Sequence, residues 1–165
     1  MNPLEAQRLA IELIDEHVTT DRPKWSFSWL TGVSQLGRCN YVHGYIVIQL
    51  NHRYTMLAEE SQVRDTIIHE IAHGLVGSGH GHDYVWKMKC RQLGIRPMRC
   101  ASHEDKAAVE LRAESANYVA ECATCHKKHY AMKYTKNMRF GRVHCSPCAR
   151  RYGFNDNNKL TYNRA

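Results

Sequence analysis

The chain has 165 residues, 43 % hydrophobic and 24 % charged, with a formal net charge of +7. That is enough apolar material for one domain and a small appendage, and it excludes a disordered chain. No apolar stretch approaches the roughly 20 residues that cross a bilayer, and the longest, Tyr45–Ile48, is strand-sized.

Pro3 to Val18 reads as an amphipathic helix, with Asn2 as cap and Pro3 at the first helical position. Its admixture of Glu5, Glu12, Asp15 and Glu16 is unlike a signal peptide, so a membrane partner is not expected and a cytoplasmic protein is. Trp25, Phe27 and Trp29 alternate as in a half-buried strand. Thr31–Arg38 reads as a turn. Cys39–Val42 and Tyr45–Asn51 read as strands joined at His43-Gly44, giving one antiparallel sheet with the first strand. Met56 to Val76 is helical in pattern: Val63, Ile67, Ile71 and Leu75, with Ile68, Ala72 and Val76, form one apolar stripe that Gly77-Ser78-Gly79 ends. A further helix runs from His82-Asp83 to Leu93, with Gly94 as its stop. Pro97–Ser102 is a connector, and Glu104–Ala116 is either a helix or a solvated linker.

Within the long helix lies His69-Glu70-Ile71-Ala72-His73. At i and i+4 the two imidazoles project one turn apart on one face, where they can grip one ion. Glu70 lies beside them, within reach of a water on that ion. This arrangement serves hydrolysis: zinc lowers the pKa of water toward about 7 and polarises a carbonyl, and the carboxylate takes the proton. A catalytic zinc usually takes three protein ligands. The metzincin spacing would put the third histidine at position 79, which is Gly79, so that class is excluded. His82 is favoured as third ligand, since Trp86 four residues on would face the same side and anchor the helix. His80 is the alternative, with Tyr84 in the anchoring place. Asp83 suits a helix cap.

Seven cysteines in a chain without an export signal point to metal rather than disulfides. Cys122-x-x-Cys125 and Cys145-x-x-Cys148 match the four-cysteine zinc pattern, a filled site with no open position for chemistry. Between the pairs a hairpin is expected, with Tyr130, Tyr134 and Phe140 as apolar cover. Cys39, Cys90 and Cys100 read as buried or ordinary thiols. Charge follows the same division. Residues 118–165 hold ten Lys/Arg against Glu121 and Asp156, net +8, and the remainder of the chain is −1. Lys127, Lys128, Lys133, Lys136, Arg139 and Arg142, interleaved with aromatics, are candidate nucleic-acid contacts.

The order of parts resembles the SprT-like family of zinc metalloproteases, which includes Spartan. The resemblance runs from about Trp25 to Arg151. It is carried by His69-Glu70-Ile71-Ala72-His73, by His82-Asp83-Tyr84-Val85-Trp86 and by the two CxxC pairs. The family often has glycine where this chain has Asp83. By resemblance His69, His73 and His82 hold the catalytic zinc and Glu70 is the general base. The Spartan branch degrades proteins crosslinked to DNA, which implies a similar substrate here. Short length implies a bacterial or viral form acting in the cytoplasm. The expected fold is α+β: helices on a short antiparallel sheet in a metalloprotease domain over residues 1–100, a linker or helix over 101–117, a zinc ribbon over 118–153 and a tail over 154–165. Two zinc ions, one catalytic and one structural, a protein substrate and DNA are the expected partners. Two rivals stand beside this: a nucleic-acid-binding zinc protein with a non-catalytic HExxH site, and a peptidase whose basic ribbon grips an acidic protein.

Overall fold

The computed structural model describes residues 1–19, 23–32, 35–98 and 105–165. The chain divides into two compact units, Met1–Leu111 and Arg112–Ala165. Of the connector expected at Pro97–Ser102, the part from Arg99 onward, with Cys100, lies outside the described residues.

The first unit opens with α1 (Pro3–His17), capped as its sequence suggests: the Asn2 side chain accepts from Leu4 N at 2.9 Å. Three strands follow, β1 (Lys24–Leu30), β2 (Gly37–Val42) and β3 (Tyr45–Asn51), in the order β1-β3-β2. The sheet is mixed rather than antiparallel. β2 and β3 are antiparallel, pairing Val42 with Tyr45 across a tight turn, but β1 runs parallel to β3. The strand order follows from burial. β3 carries Ile46, Ile48 and Leu50, all buried, and takes the centre of the sheet. The short turn fixes β2 on one side of it, which leaves the other side to β1.

The helical stretch expected from Met56 onward is two helices, α2 (His52–Leu57) and α3 (Glu60–Val76). Ala58 and Glu59 are extended between them, and Glu59 N donates to Gln62 Oε1 at 2.9 Å, so α3 begins afresh. Val63, Ile67, Ile68, Ile71 and Ala72 bury the apolar stripe of α3 against α1 and the sheet. Gly77 ends α3 with φ 88°, a conformation that costs glycine little. α4 (Tyr84–Gln92) packs on α3 and buries Trp86 and Cys90. α5 (Lys106–Glu114) is a helix, and its Ala107, Ala108 and Leu111 belong to the first unit's core.

In the second unit, β4 (Tyr118–Glu121) pairs antiparallel with β5 (Lys128–Ala131) and with β6 (Asn163–Arg164). α6 (Lys136–Arg139), α7 (Ser146–Tyr152) and a 3-10 turn (Asp156–Asn158) complete it. The hairpin thus spans the first CxxC pair rather than joining the two pairs, and α6 occupies the connection. Residues 154–165 are not a loose tail: Leu160 and Asn158 are buried, and β6 closes one edge of the sheet. Tyr134 and Phe140 are about half exposed, and the apolar cover comes instead from Ala120, Val143, Leu160 and Tyr162. No helix among the described residues is long and apolar enough to cross a membrane.

Candidate active site and metal centres

α3 carries His69, Glu70 and His73, and the residue preceding Asp83, the N-cap of α4, is His82. These two helices bring three imidazoles together. His82 Nε2 stands 3.2 Å from His73 Nε2 and 3.2 Å from His69 Nε2. Nitrogens about 2.05 Å from a tetrahedral zinc would be roughly 3.3 Å apart, so the donor set fits that ion. His80 is not in this cluster. Its Nδ1 lies 2.8 Å from Asp83 Oδ2, and the other Asp83 oxygen accepts from Trp86 N at 3.1 Å, the capping role expected of that residue.

Burial first, then the neighbouring imidazoles, lowers His69 to about 3 and His73 to about 4. Both rings are therefore neutral near pH 7, as a metal ligand must be. Their orientation comes from the main chain. His69 bonds to the backbone of Met98 and His73 to that of His80, each contact favouring the protonated ring, so a carbonyl is the acceptor. Such acceptors fix the tautomer and aim of a ligating ring. Trp86, fully buried, lies under all three: its ring centroid is 4.7 Å from that of His69, 5.2 Å from His73 and 4.6 Å from His82. The anchor expected from sequence is thus also the floor of the cluster.

Glu70 is buried on the β2 side of α3, with 7 % of its surface exposed. Burial raises its carboxyl to about 8, against lowering by the backbone N–H of Cys39 and by the charge of Arg38. Tyr41 Oη donates to the carbonyl of His73 at 2.6 Å. Beyond that contact Tyr41, Tyr45, Ile46, Gly74 and Leu75 help line a cavity of about 400 Å³. The part of β2 in this site was not visible in the sequence, because a strand's neighbour across space has no local signature.

In the second unit Cys122, Cys125, Cys145 and Cys148 converge, their sulfurs lying within 4.8 Å of one another. Cys122 Sγ is 3.9 Å from Cys148 Sγ, and Cys125 Sγ is 3.7 Å from Cys145 Sγ. Those separations are far beyond the ~2.05 Å of a disulfide. They match the edge of roughly 3.8 Å of a tetrahedron with zinc–sulfur bonds of about 2.3 Å. Burial opposes ionisation of Cys122, but the N–H groups of Cys125 and Thr124 and the nearby thiols outweigh it and bring it to about 7. Burial and the other sulfurs push Cys148 up to about 12 and raise Cys145. Four thiols so close cannot all ionise unaided, and a bound cation removes that conflict. Cys90 is buried and Cys39 half-buried, and neither is among the converging ligand atoms of either cluster.

Lys128, Lys133, Lys136, Arg139 and Arg142 are exposed and Lys127 is half-buried. The Arg142 guanidinium lies 5.4 Å from the Phe140 ring centroid.

The SprT-like family pattern matches residues 6–106. The chain belongs to the SprT-like family, a family of zinc-metalloprotease-like domains. No curated protein and no solved structure matches it.

Proposed function

We propose that the protein is a zinc-dependent endopeptidase acting on DNA-associated proteins, with His69, His73 and His82 holding the catalytic ion and Glu70 as general base. The observation that carries the reading is the convergence of three neutral imidazoles from two helices, with a buried carboxylate on the residue following the first. When bound, zinc supplies a Lewis acid that polarises the scissile carbonyl and makes water a nucleophile near neutral pH. Glu70 takes the proton from that water and delivers it to the departing amine. Burial keeps the proton affinity of Glu70 high in the metal-free chain, and the positive charge of a bound ion would lower it toward the range of a base that accepts and returns a proton near neutral pH. Trp86 and the carbonyls of Met98 and His80 hold the imidazoles in place.

The four cysteines of the second unit hold a structural zinc, with all positions filled by protein. The net +8 of residues 118–165 supports recruitment to nucleic acid, with Lys127, Lys128, Lys133, Lys136, Arg139 and Arg142 neutralising phosphates.

The test is cleavage of a DNA-bound protein by wild type and Glu70→Gln, with and without DNA, alongside zinc analysis. The reading expects two zinc ions per chain in both proteins, and a loss of cleavage of at least about 100-fold in the variant, at the low end of a positioned base's contribution. Undiminished cleavage by Glu70→Gln removes the assignment. A wild type that binds DNA and two zinc ions but cleaves nothing is a nucleic-acid-binding zinc protein.

A further inference from the structure

We propose that β2 is the positioning strand of this centre, acting through the alternate residues Gly37, Cys39 and Tyr41 to fix the Glu70 side chain and the end of the motif helix. The inference rests on the peptidase reading for its catalytic consequence, and its geometry stands apart from that reading.

β2 is the outer strand of its sheet and pairs only with β3 among the described residues. Its other edge is therefore free to bond to side chains. Cys39 faces Glu70 from that edge: its backbone N–H favours the charged carboxylate, against the larger effect of burial. Two residues earlier, Gly37 leaves the space that Glu70 occupies. A Cβ at position 37 would stand 2.9 Å from Glu70 Cγ, 2.9 Å from Glu70 Oε1 and 3.0 Å from Thr66 Cγ2. Gly37 does not have positive φ, so the backbone does not demand glycine there. What demands it is room for the carboxylate. Two residues later, Tyr41 Oη donates to the His73 carbonyl at 2.6 Å, a carbonyl that also accepts from Gly77 N at 3.1 Å. One strand thus touches both ends of the motif. The period of two along a strand puts residues 37, 39 and 41 on one side of it, and α3 packs against β2.

Ordinary packing would make Gly37 matter through volume alone, whereas positioning makes it matter through Glu70. A double-mutant cycle separates the two. Gly37→Ala is compared in the wild-type, Glu70→Asp and Glu70→Ala backgrounds. In Glu70→Asp the carboxylate is withdrawn by one methylene, and in Glu70→Ala both colliding Glu70 atoms are gone. The first readout is the urea midpoint of the metal-stripped full chain. Gly37→Ala should lower it in the wild-type background and by less than half as much in Glu70→Ala. The second is kinetic: in otherwise wild-type enzyme Gly37→Ala should reduce kcat at least 10-fold, with KM within twofold and two zinc ions retained, as a displaced reacting group does. In Glu70→Asp the same substitution should reduce kcat less than threefold.

Equal midpoint losses in all backgrounds, or equal kcat losses in the wild-type and Glu70→Asp backgrounds, overturn the proposal. If wild type cleaves nothing, the peptidase reading fails, and the urea cycle still decides whether Gly37 acts through Glu70. For Tyr41, Tyr41→Phe should weaken zinc at the histidine site at least fivefold in chelator competition and leave the four-cysteine site unchanged. Unchanged affinity at the histidine site removes Tyr41 from the positioning set.

Discussion

Gly74, the residue after His73, sits where α3 meets the sheet. A Cβ there would collide with Trp25 Cη2, would lie 2.6 Å from Trp25 Cζ3, and would lie 3.0 Å from Ile46 Cγ2. A packed indole and a central-strand isoleucine cannot swing aside as the tip of a lysine can. Gly74→Ala should therefore destabilise by about 1–3 kcal/mol, the usual cost of overpacking, read as a lower urea midpoint with unchanged m. The titrating groups of the site make a second residue-level prediction, for the metal-stripped protein. Burial and neighbouring imidazoles hold His69 at about 3 and His73 at about 4, against an ordinary 6.5. The unfolded chain thus takes up these protons first, and stability is lost as pH falls from 6.5 toward 3. Glu70 works in the opposite sense. Held at about 8 against 4.5, it keeps its proton in the folded state, so stability is gained as pH falls from 8 to 4.5. Glu70→Gln removes only the second effect. Its urea midpoint should fall more steeply than wild type's between pH 6.5 and 4.5, and parallel profiles would contradict the opposed shifts. At this scale the histidines were legible because helical spacing alone places His69 and His73 on one face. Met98 and His80 contribute main-chain groups, which side-chain identity does not encode.

At the scale of elements, the start of α4 matters most, because it is the end that presents His82. Asp83 caps that end through Trp86 N and also takes His80 Nδ1. Asp83→Ala should fray the first turn and loosen His82, so zinc should leave the histidine site several-fold faster while the cysteine site keeps its ion. Asp83→Asn retains a capping oxygen and should restore most of the retention. Equal zinc loss from Asp83→Ala and Asp83→Asn would mean that charge, not capping, is what Asp83 supplies. The helices carrying the motif were legible from apolar periodicity and from Gly77 and Gly94 as stops. The break between α2 and α3 was not, because Ala58 and Glu59 are both compatible with a helix and only their extended backbone divides it. The direction of β1 against β3 was hidden for a different reason. Alternation reports which face of a strand is buried and is silent on which strand lies beside it.

Across the whole molecule the two units differ in what holds them together. The first has a core of aliphatic and aromatic side chains drawn from all of its helices and from its sheet. The second has six buried apolar residues, Ala120, Cys122, Cys145, Cys148, Ala149 and Leu160, and three of these are thiols of the four-cysteine cluster. The paired cysteines and the basic bias were plain in the sequence. The joining of residues 154–165 to this unit was not, because it depends on Leu160, one apolar residue in a polar stretch, and on the short pairing of β6 with β4. Three ordinary apolar side chains and three thiols, with Val143 and Tyr162 packed against them, cannot offset the conformational entropy of some fifty residues, so a bound ion would have to supply most of the folding energy. Chelation of the full chain should accordingly give two behaviours in one experiment. Amide exchange should become fast through residues 112–165, while α1, α3 and β3 keep slow exchange. Oligonucleotide affinity should disappear with the protection of the second unit and return with added zinc. In the zinc-loaded protein the logarithm of that affinity should fall linearly with the logarithm of salt concentration, with a slope of about −0.7 for each phosphate neutralised on a single strand. Four or more contacts are expected from the six named cations, giving a slope near −3 or steeper. Protection of residues 112–165 that survives complete metal removal would show that the protein alone folds this unit, and a flat salt dependence would detach the basic surface from nucleic acid.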